Sequence, residues 1–246
     1  MKFGSLFSGI GGIDLGLERA GMTCIWQSEI EPYACQVLAK HWPNIPNLGD
    51  IRDIDWTTVE RADLVAGGYP CQPFSVAGHR AGGDDPRHLW PLFAECLRVL
   101  RPRYALLENV PGHLSLGFGQ VLGDLAEIGY DAEWEVLSAS GFGLLHQRER
   151  VFIVCYAQGI GWQHTINAKS SSVFKQEQGE KVFFKRGTVG DKRRLLEKIR
   201  ATEFVRKSNG IPNRMDRVRG LGNAVVPQVA EYIGQCLMAH NRAHSA

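Results

Sequence analysis

Short apolar runs alternate with stretches of helical period along the first two thirds of the chain, and that rhythm restricts the fold more than any other feature. KFGSLF reads as a strand, GIDLGLERAG as the start of a helix with Ile13 and Leu17 on one face, and TCIWQSE as a second strand. EPYACQVLAKHW has helical period and stops before Pro43. DLVAGG and YALLEN are buried strands with the helix PLFAECLRVL between them, and GQVLGDLAEIG, DAEWEVLSAS and RVFIVCYA continue the alternation. This βαβα order predicts an α/β fold built on a doubly wound, mostly parallel, Rossmann-like sheet. Ligands then sit at the carboxyl ends of the strands.

After Tyr156 the rhythm breaks. Residues 158–219 hold 15 Lys and Arg against 6 Asp and Glu, while the remainder of the chain holds 13 against 20. A solvated loop and a face for a polyanion fit that charge equally well. Regularity returns in VPQVAEYIGQCLMAH, where Val226, Val229, Ile233 and Leu237 form an apolar stripe of helical period, most simply core packing. The expected organisation is one domain made of residues 1–157 and 220–246, interrupted by a short basic region at 158–219. Six cysteines lie without C-x-x-C spacing, which argues against a zinc site and against a secreted disulfide framework; Cys24 and Cys155 read as small core residues. No apolar run reaches signal-peptide or membrane-span length, so a soluble, cytoplasmic protein is expected.

The strand ends carry the chemistry. FSGIGG joins the first strand to the first helix, with glycines for a sharp turn and free N–H groups at the helix N-terminus. Glu29 ends the second strand, where a carboxylate can accept hydrogen bonds from ribose hydroxyls. A nucleoside cofactor is expected, but NAD fits poorly, because Asp14 stands where the dinucleotide fingerprint needs its third glycine. Asp50, in GDI, is read as ending a third strand; taken alone it is a turn residue. In GGYPCQPFS, prolines on both sides hold Cys71 in a stiff, extended loop after the strand DLVAGG. Glu108 ends YALLEN, so a thiol and a carboxylate from neighbouring strands converge on one crevice. In HQRERVF, Arg148 and Arg150 alternate and point to one face, suited to a phosphate or a carbonyl oxygen.

Together, FSGIGG, Glu29, GDI, GGYPCQPFS, ENV, QRERVFIV and GNAVVPQ resemble the ordered motifs of the DNA cytosine-5 methyltransferases of bacterial and phage type, over residues 3–157 and 209–236. The resemblance implies S-adenosylmethionine as cofactor, double-stranded DNA as partner, and attack by the Cys71 thiolate on carbon 6 of a flipped cytosine, which activates carbon 5 for methylation. It gives Glu108 to ring nitrogen 3, Arg150 to the carbonyl oxygen of the base, and Arg148 to a place beside the cysteine and the phosphates. It gives the cofactor to Phe7, Ile10, Gly12, Glu29 at the ribose, Asp50 and Ile51 at the adenine, Pro70, Trp90 and Asn223. Gln72 and Ser75 fall in a loop expected to close over DNA, and the basic region takes the target-recognition position. A monomer without a metal is implied, with a separately acting restriction endonuclease left open. A tRNA substrate, or a catalytically silent DNA-binding relative, is the alternative. Two departures stand out: Ile30 follows Glu29 where many relatives carry an aromatic residue, and the basic region is short for the family.

Overall fold

The computed structural model describes residues 1–70, 89–144, 148–160 and 224–244. Cys71, Gln72, Ser75 and Asn223 lie outside them, as does the basic region beyond Ile160. Among the described residues, six strands form one sheet: β1 (Lys2–Leu6), β2 (Thr23–Ser28), β3 (Leu64–Gly67), β4 (Tyr104–Asn109), β5 (Tyr130–Ser138) and β6 (Glu149–Ala157), in the order β2-β1-β3-β4-β6-β5. The helices are α1 (Gly12–Arg19), α2 (Pro32–His41), α3 (Trp90–Leu100), α4 (Phe118–Glu127) and α5 (Pro227–Ala243). No described helix is long and apolar enough to cross a membrane.

Each central strand is apolar on both faces, as a sheet covered on both sides requires. Tyr104 and Leu106 of β4, with Phe152 and Val154 of β6, pack into one core with Ile13 and Leu17 of α1 and Val229, Ile233 and Leu237 of α5. Ala105 and Leu107, with Val151, Ile153 and Cys155, pack into the other core under Phe93 and Leu97 of α3 and Val121 and Leu125 of α4. The sheet is therefore doubly wound, as the sequence predicts. Cys24 and Cys155 are buried as expected, and the stripe on α5 is core packing, with Val226 half-buried just before the helix. Helices α1 and α5 meet almost backbone to backbone: a Cβ on Gly16 would fall 2.4 Å from the Pro227 carbonyl oxygen.

Two expectations need correcting. The strand–helix alternation does not continue past α4: among the described residues, the connection from β5 to β6 holds the short 3-10 turn Ala139–Phe142 and no helix. Strand β6 therefore runs antiparallel to both β4 and β5, whereas the pairings of β1 with β2, β1 with β3 and β3 with β4 are parallel. The second correction concerns Asp50, which ends no strand. It caps a 3-10 turn at Ile51–Asp53 by accepting a hydrogen bond from the Arg52 backbone N–H.

A carboxyl group lies in the core beneath the first turn of α1. Asp14 is fully buried and accepts hydrogen bonds from Gln27 Nε2 at 2.8 Å and Ser5 Oγ at 3.1 Å. Burial pushes its pKa up to about 6, against the opposing pull of those donors. The folded protein thus holds the Asp14 proton more tightly than the unfolded chain does. The associated stability is complete below the ordinary pKa of 3.8 and is lost as pH rises through about 6, a difference on the order of 3 kcal/mol. Urea unfolding of Asp14→Asn at pH 4 and pH 7 is expected to show a loss of stability between the two that is smaller than wild type by about that amount. Equal losses in the two proteins would contradict the assignment.

Candidate active site

The glycine turn is built by backbone geometry that only part of the sequence tolerates. Gly9 and Gly11 have φ of 56° and 81°, a region that costs a side chain and suits glycine. Gly11 caps α1, and its N–H donates to the Ser8 carbonyl at 2.9 Å. Phe7 shares the left-handed conformation, with φ 53°, and lies against Phe93 at 6.3 Å between ring centroids. Glu29 leaves the end of β2 and closes the turn from the other side. Its Oε2 accepts from the Gly9 N–H at 2.7 Å, and its Oε1 accepts from the N–H groups of Ile30 and Glu31. Oε1 is filled by its two donors, whereas Oε2, with one, retains accepting capacity for a ligand.

At the carboxyl end of β4, Glu108 is buried and its Oε1 lies 2.8 Å from Arg150 Nε. Burial raises the Glu108 pKa to about 6, while the charges of Arg150 and Arg148 pull it down. The antiparallel register explains the meeting: Glu108 pairs with Phe152 and Asn109 with Val151, so Arg150 lies just past the end of β4. Arg148, two residues earlier, is half-buried, and both its burial and the Arg150 charge work against its own protonated form. The two arginines and the carboxylate predicted from sequence are thus brought together. A Cβ on Gly68, at the exit of β3, would fall 2.5 Å from Glu108 Oε2, so the backbone leading to the thiol loop passes directly against the carboxylate.

The root of that loop is pinned before it reaches the cysteine. The Tyr69 carbonyl accepts from Asn109 Nδ2 at 3.1 Å, and the Tyr69 hydroxyl is 2.8 Å from His113 Nε2 in a buried contact. Its ring packs on Trp90 and Phe93. Burial lowers the His113 pKa, which favours the neutral imidazole. Pro70 follows, exposed, as the last described residue before Cys71.

The remaining predicted residues divide. Ile10 and Gly12 line a cavity of about 570 Å³ together with Leu15, Trp42, Arg148 and Val225. Asp50 lies near the β2 end, since Ser28 Oγ donates to the neighbouring Gly49 carbonyl at 2.7 Å, and its pKa is lowered chiefly by the Arg52 backbone N–H. Ile51 is buried behind it. Trp90 is not brought to the surface: it is buried in the core under α3, and its indole N–H donates to Asp124 at 2.6 Å. Sequence reasoning missed the Tyr69–His113 contact, whose partners lie 44 residues apart with no pattern linking them. It also missed Asn47, which binds both sides of the Glu29 peptide.

A family model described as C-5 cytosine-specific DNA methylase matches residues 1–207. Among curated proteins, Type II methyltransferase M.NgoBI of Neisseria gonorrhoeae is 41% identical over 160 residues, 63% of this chain and 50% of that protein. Type II methyltransferase M.MspI of Moraxella sp is 36% identical over 162 residues, 63% of this chain and 38% of that protein. The chain therefore spans half or less of the length of these relatives. Among solved structures, the S. pombe Dnmt2 methyltransferase superposes with a TM-score of 0.69 at 18% identity, covering 98% of this chain and 99% of that one. The Entamoeba histolytica methyltransferase EhMeth gives 0.59 at 22% identity, covering 68% and 55%. These two likenesses speak to the fold alone. The family match, carried by the residues just described, shows that this chain belongs to the C-5 cytosine-specific DNA methylases.

Proposed function

We propose that the chain methylates carbon 5 of cytosine in duplex DNA, with S-adenosylmethionine as donor and Cys71 as nucleophile. The observation that carries this is the buried Glu108–Arg150 pair at the end of β4, set against the backbone that leads into Cys71. The named Type II methyltransferases among its relatives support the substrate class.

The residues fit the cofactor: the glycine turn lines a cavity of about 570 Å³, and Glu29 Oε2, bonded to the Gly9 N–H, retains a lone pair for a hydroxyl. Glu29 presents a carboxylate to a ribose, with Asp50 and Ile51 on the adenine side and Phe7, Ile10, Gly12, Pro70 and Asn223 as the family's remaining contacts; the buried Trp90 would act from behind them, through its packing on Tyr69. When bound, S-adenosylmethionine supplies an electrophilic methyl group on a sulfonium sulfur.

Carbon 5 of cytosine is a poor nucleophile until a thiolate adds to carbon 6. As the Cys71 sulfur forms that bond, Glu108 gives a proton to ring nitrogen 3. With a pKa of about 6, it still holds a proton part of the time near neutrality. Arg150 holds the carbonyl oxygen of the base, and Arg148 sits beside the thiolate and the phosphates. After carbon 5 takes the methyl group, a water molecule acting as base takes its proton, the electron pair of that C–H bond reforms the ring double bond and expels the Cys71 thiolate, and the proton on nitrogen 3 returns to Glu108. The base reaches this crevice only when flipped out of the duplex, at a cost of about a few kcal/mol. Gln72 and Ser75 would close over the DNA, and the 158–219 region would hold phosphates and read the target. A monomer in the cytoplasm, with any restriction endonuclease acting separately, completes the proposal.

Duplex DNA containing 5-fluorocytosine is expected to trap a covalent adduct, because fluorine blocks the final elimination. Denaturing electrophoresis should show it for wild type and not for Cys71→Ala. Bound DNA without adduct in the wild type favours a silent relative, and label from the cofactor appearing in tRNA and not in DNA defeats the substrate assignment.

A second outcome concerns the proton on Glu108. Carbon-13 NMR titration of the side-chain carboxyl is expected to give a pKa near 6, raised further in Arg150→Ala by loss of the opposing charge. A wild-type value at or below the ordinary 4.5 would remove Glu108 as proton donor.

A further inference from the structure

Glu29 and Asp50 stand 21 residues apart in sequence, yet a single side chain ties the peptides around them together. Asn47 Oδ1 accepts from the Glu29 N–H at 3.0 Å, and Asn47 Nδ2 donates to the Glu29 carbonyl at 3.0 Å. The same Oδ1 accepts from the Gly49 N–H at 3.1 Å, while Nδ2 reaches Cys35 Sγ at 3.3 Å. The carboxamide thus reproduces, on the Glu29 peptide, the two-way pairing that a neighbouring strand would supply. It does so where the ladder stops: Gln27 N–H donates to the Pro46 carbonyl and Leu48 N–H to the Gln27 carbonyl, but Glu29 is already past the end of β2.

From that fixed peptide, the Glu29 carboxylate reaches back to Gly9 of the glycine turn. From Gly49, with φ 78°, the chain turns directly into Asp50. Asn47 is exposed, so water competes for its hydrogen bonds and they add little to global stability. Four contacts on an exposed side chain, to the Glu29 backbone just past β2, to Gly49 before Asp50 and to Cys35 of α2, have a local purpose.

We infer that Asn47 is a positioning residue for the nucleoside half of the cofactor, setting the Glu29 carboxylate for the ribose hydroxyls and fixing its spacing from Asp50. The inference rests on the proposed use of S-adenosylmethionine and extends it to a residue that touches no ligand. A merely structural role would weaken all ligands alike; a positioning role weakens them according to whether the ribose hydroxyl is present.

Calorimetric titration with S-adenosylhomocysteine and with its 2′-deoxyribose counterpart separates the two. Wild type is expected to favour the intact ligand by about tenfold; Asn47→Ala is expected to lose about tenfold for the intact ligand and to distinguish the pair by less than about twofold. Thermal unfolding without ligand should be almost unchanged. Should Asn47→Ala fail to fold, Asn47→Asp, which keeps both acceptor contacts and loses both donors, takes its place in the same comparison. Retention of the wild-type preference in the variant, or an equal loss for both ligands, overturns the positioning role while leaving the proposed cofactor intact. Absence of any S-adenosylhomocysteine binding by wild type overturns the cofactor and this inference together.

Discussion

The direction of β6 is the constraint on which the site depends. In a parallel sheet the residues that begin a strand lie at the edge opposite the ligand crevice. Because β6 runs antiparallel to β4, its first residues arrive where β4 ends, and Arg150 reaches Glu108 at 2.8 Å. The β5–β6 hairpin, closed by one short 3-10 turn, enforces that reversal without any crossover. Burial raises the Glu108 pKa and the neighbouring guanidinium charges lower it, and the balance, at about 6, lies near the pH at which the carboxyl can both give and recover a proton.

The other half of the crevice is held by a different device. Among the described residues no ion pair links the glycine turn to β2; backbone N–H groups converge on the Glu29 carboxylate, and the Asn47 carboxamide holds the peptide behind it. Beneath both lies Asp14, buried among Ser5, Gln27 and Cys24. A polar cluster there ties α1 to β1 and β2, and it requires those elements to meet in one register to satisfy its donors. The tilt of α1, and with it the glycine turn, follows from that match.

Much of this was legible before any coordinates. Apolar runs of strand length and the 3.6-residue stripe on α5 fixed the elements, because each reflects burial on both faces of a covered sheet. Glu108 and Glu29 were legible as strand-end residues for the same reason. Strand direction was not. DAEWEVLSAS and RVFIVCYA have the composition of any covered strand, and only the shortness of the connection between them betrays a hairpin. At GDI a strand end and a turn were both readable: Ile51 is apolar and buried, as a strand residue would be, while Asp50 caps a turn, as its residue type alone suggests. Contacts between single residues far apart, such as Tyr69 with His113, leave no periodic trace at all.

Charge is unevenly divided along the chain. Outside 158–219 it carries 13 basic against 20 acidic residues, so that part repels a polyanion on average. Within it, Arg148 and Arg150 are committed beside Glu108 and contribute positive charge only at the depth of the crevice. On the proposed function, affinity for the duplex must come from the 15 basic residues of the 158–219 stretch, whereas the chemistry needs none of them. On that same proposal the stretch holds and reads the duplex, and the strand ends of the sheet accept the everted base.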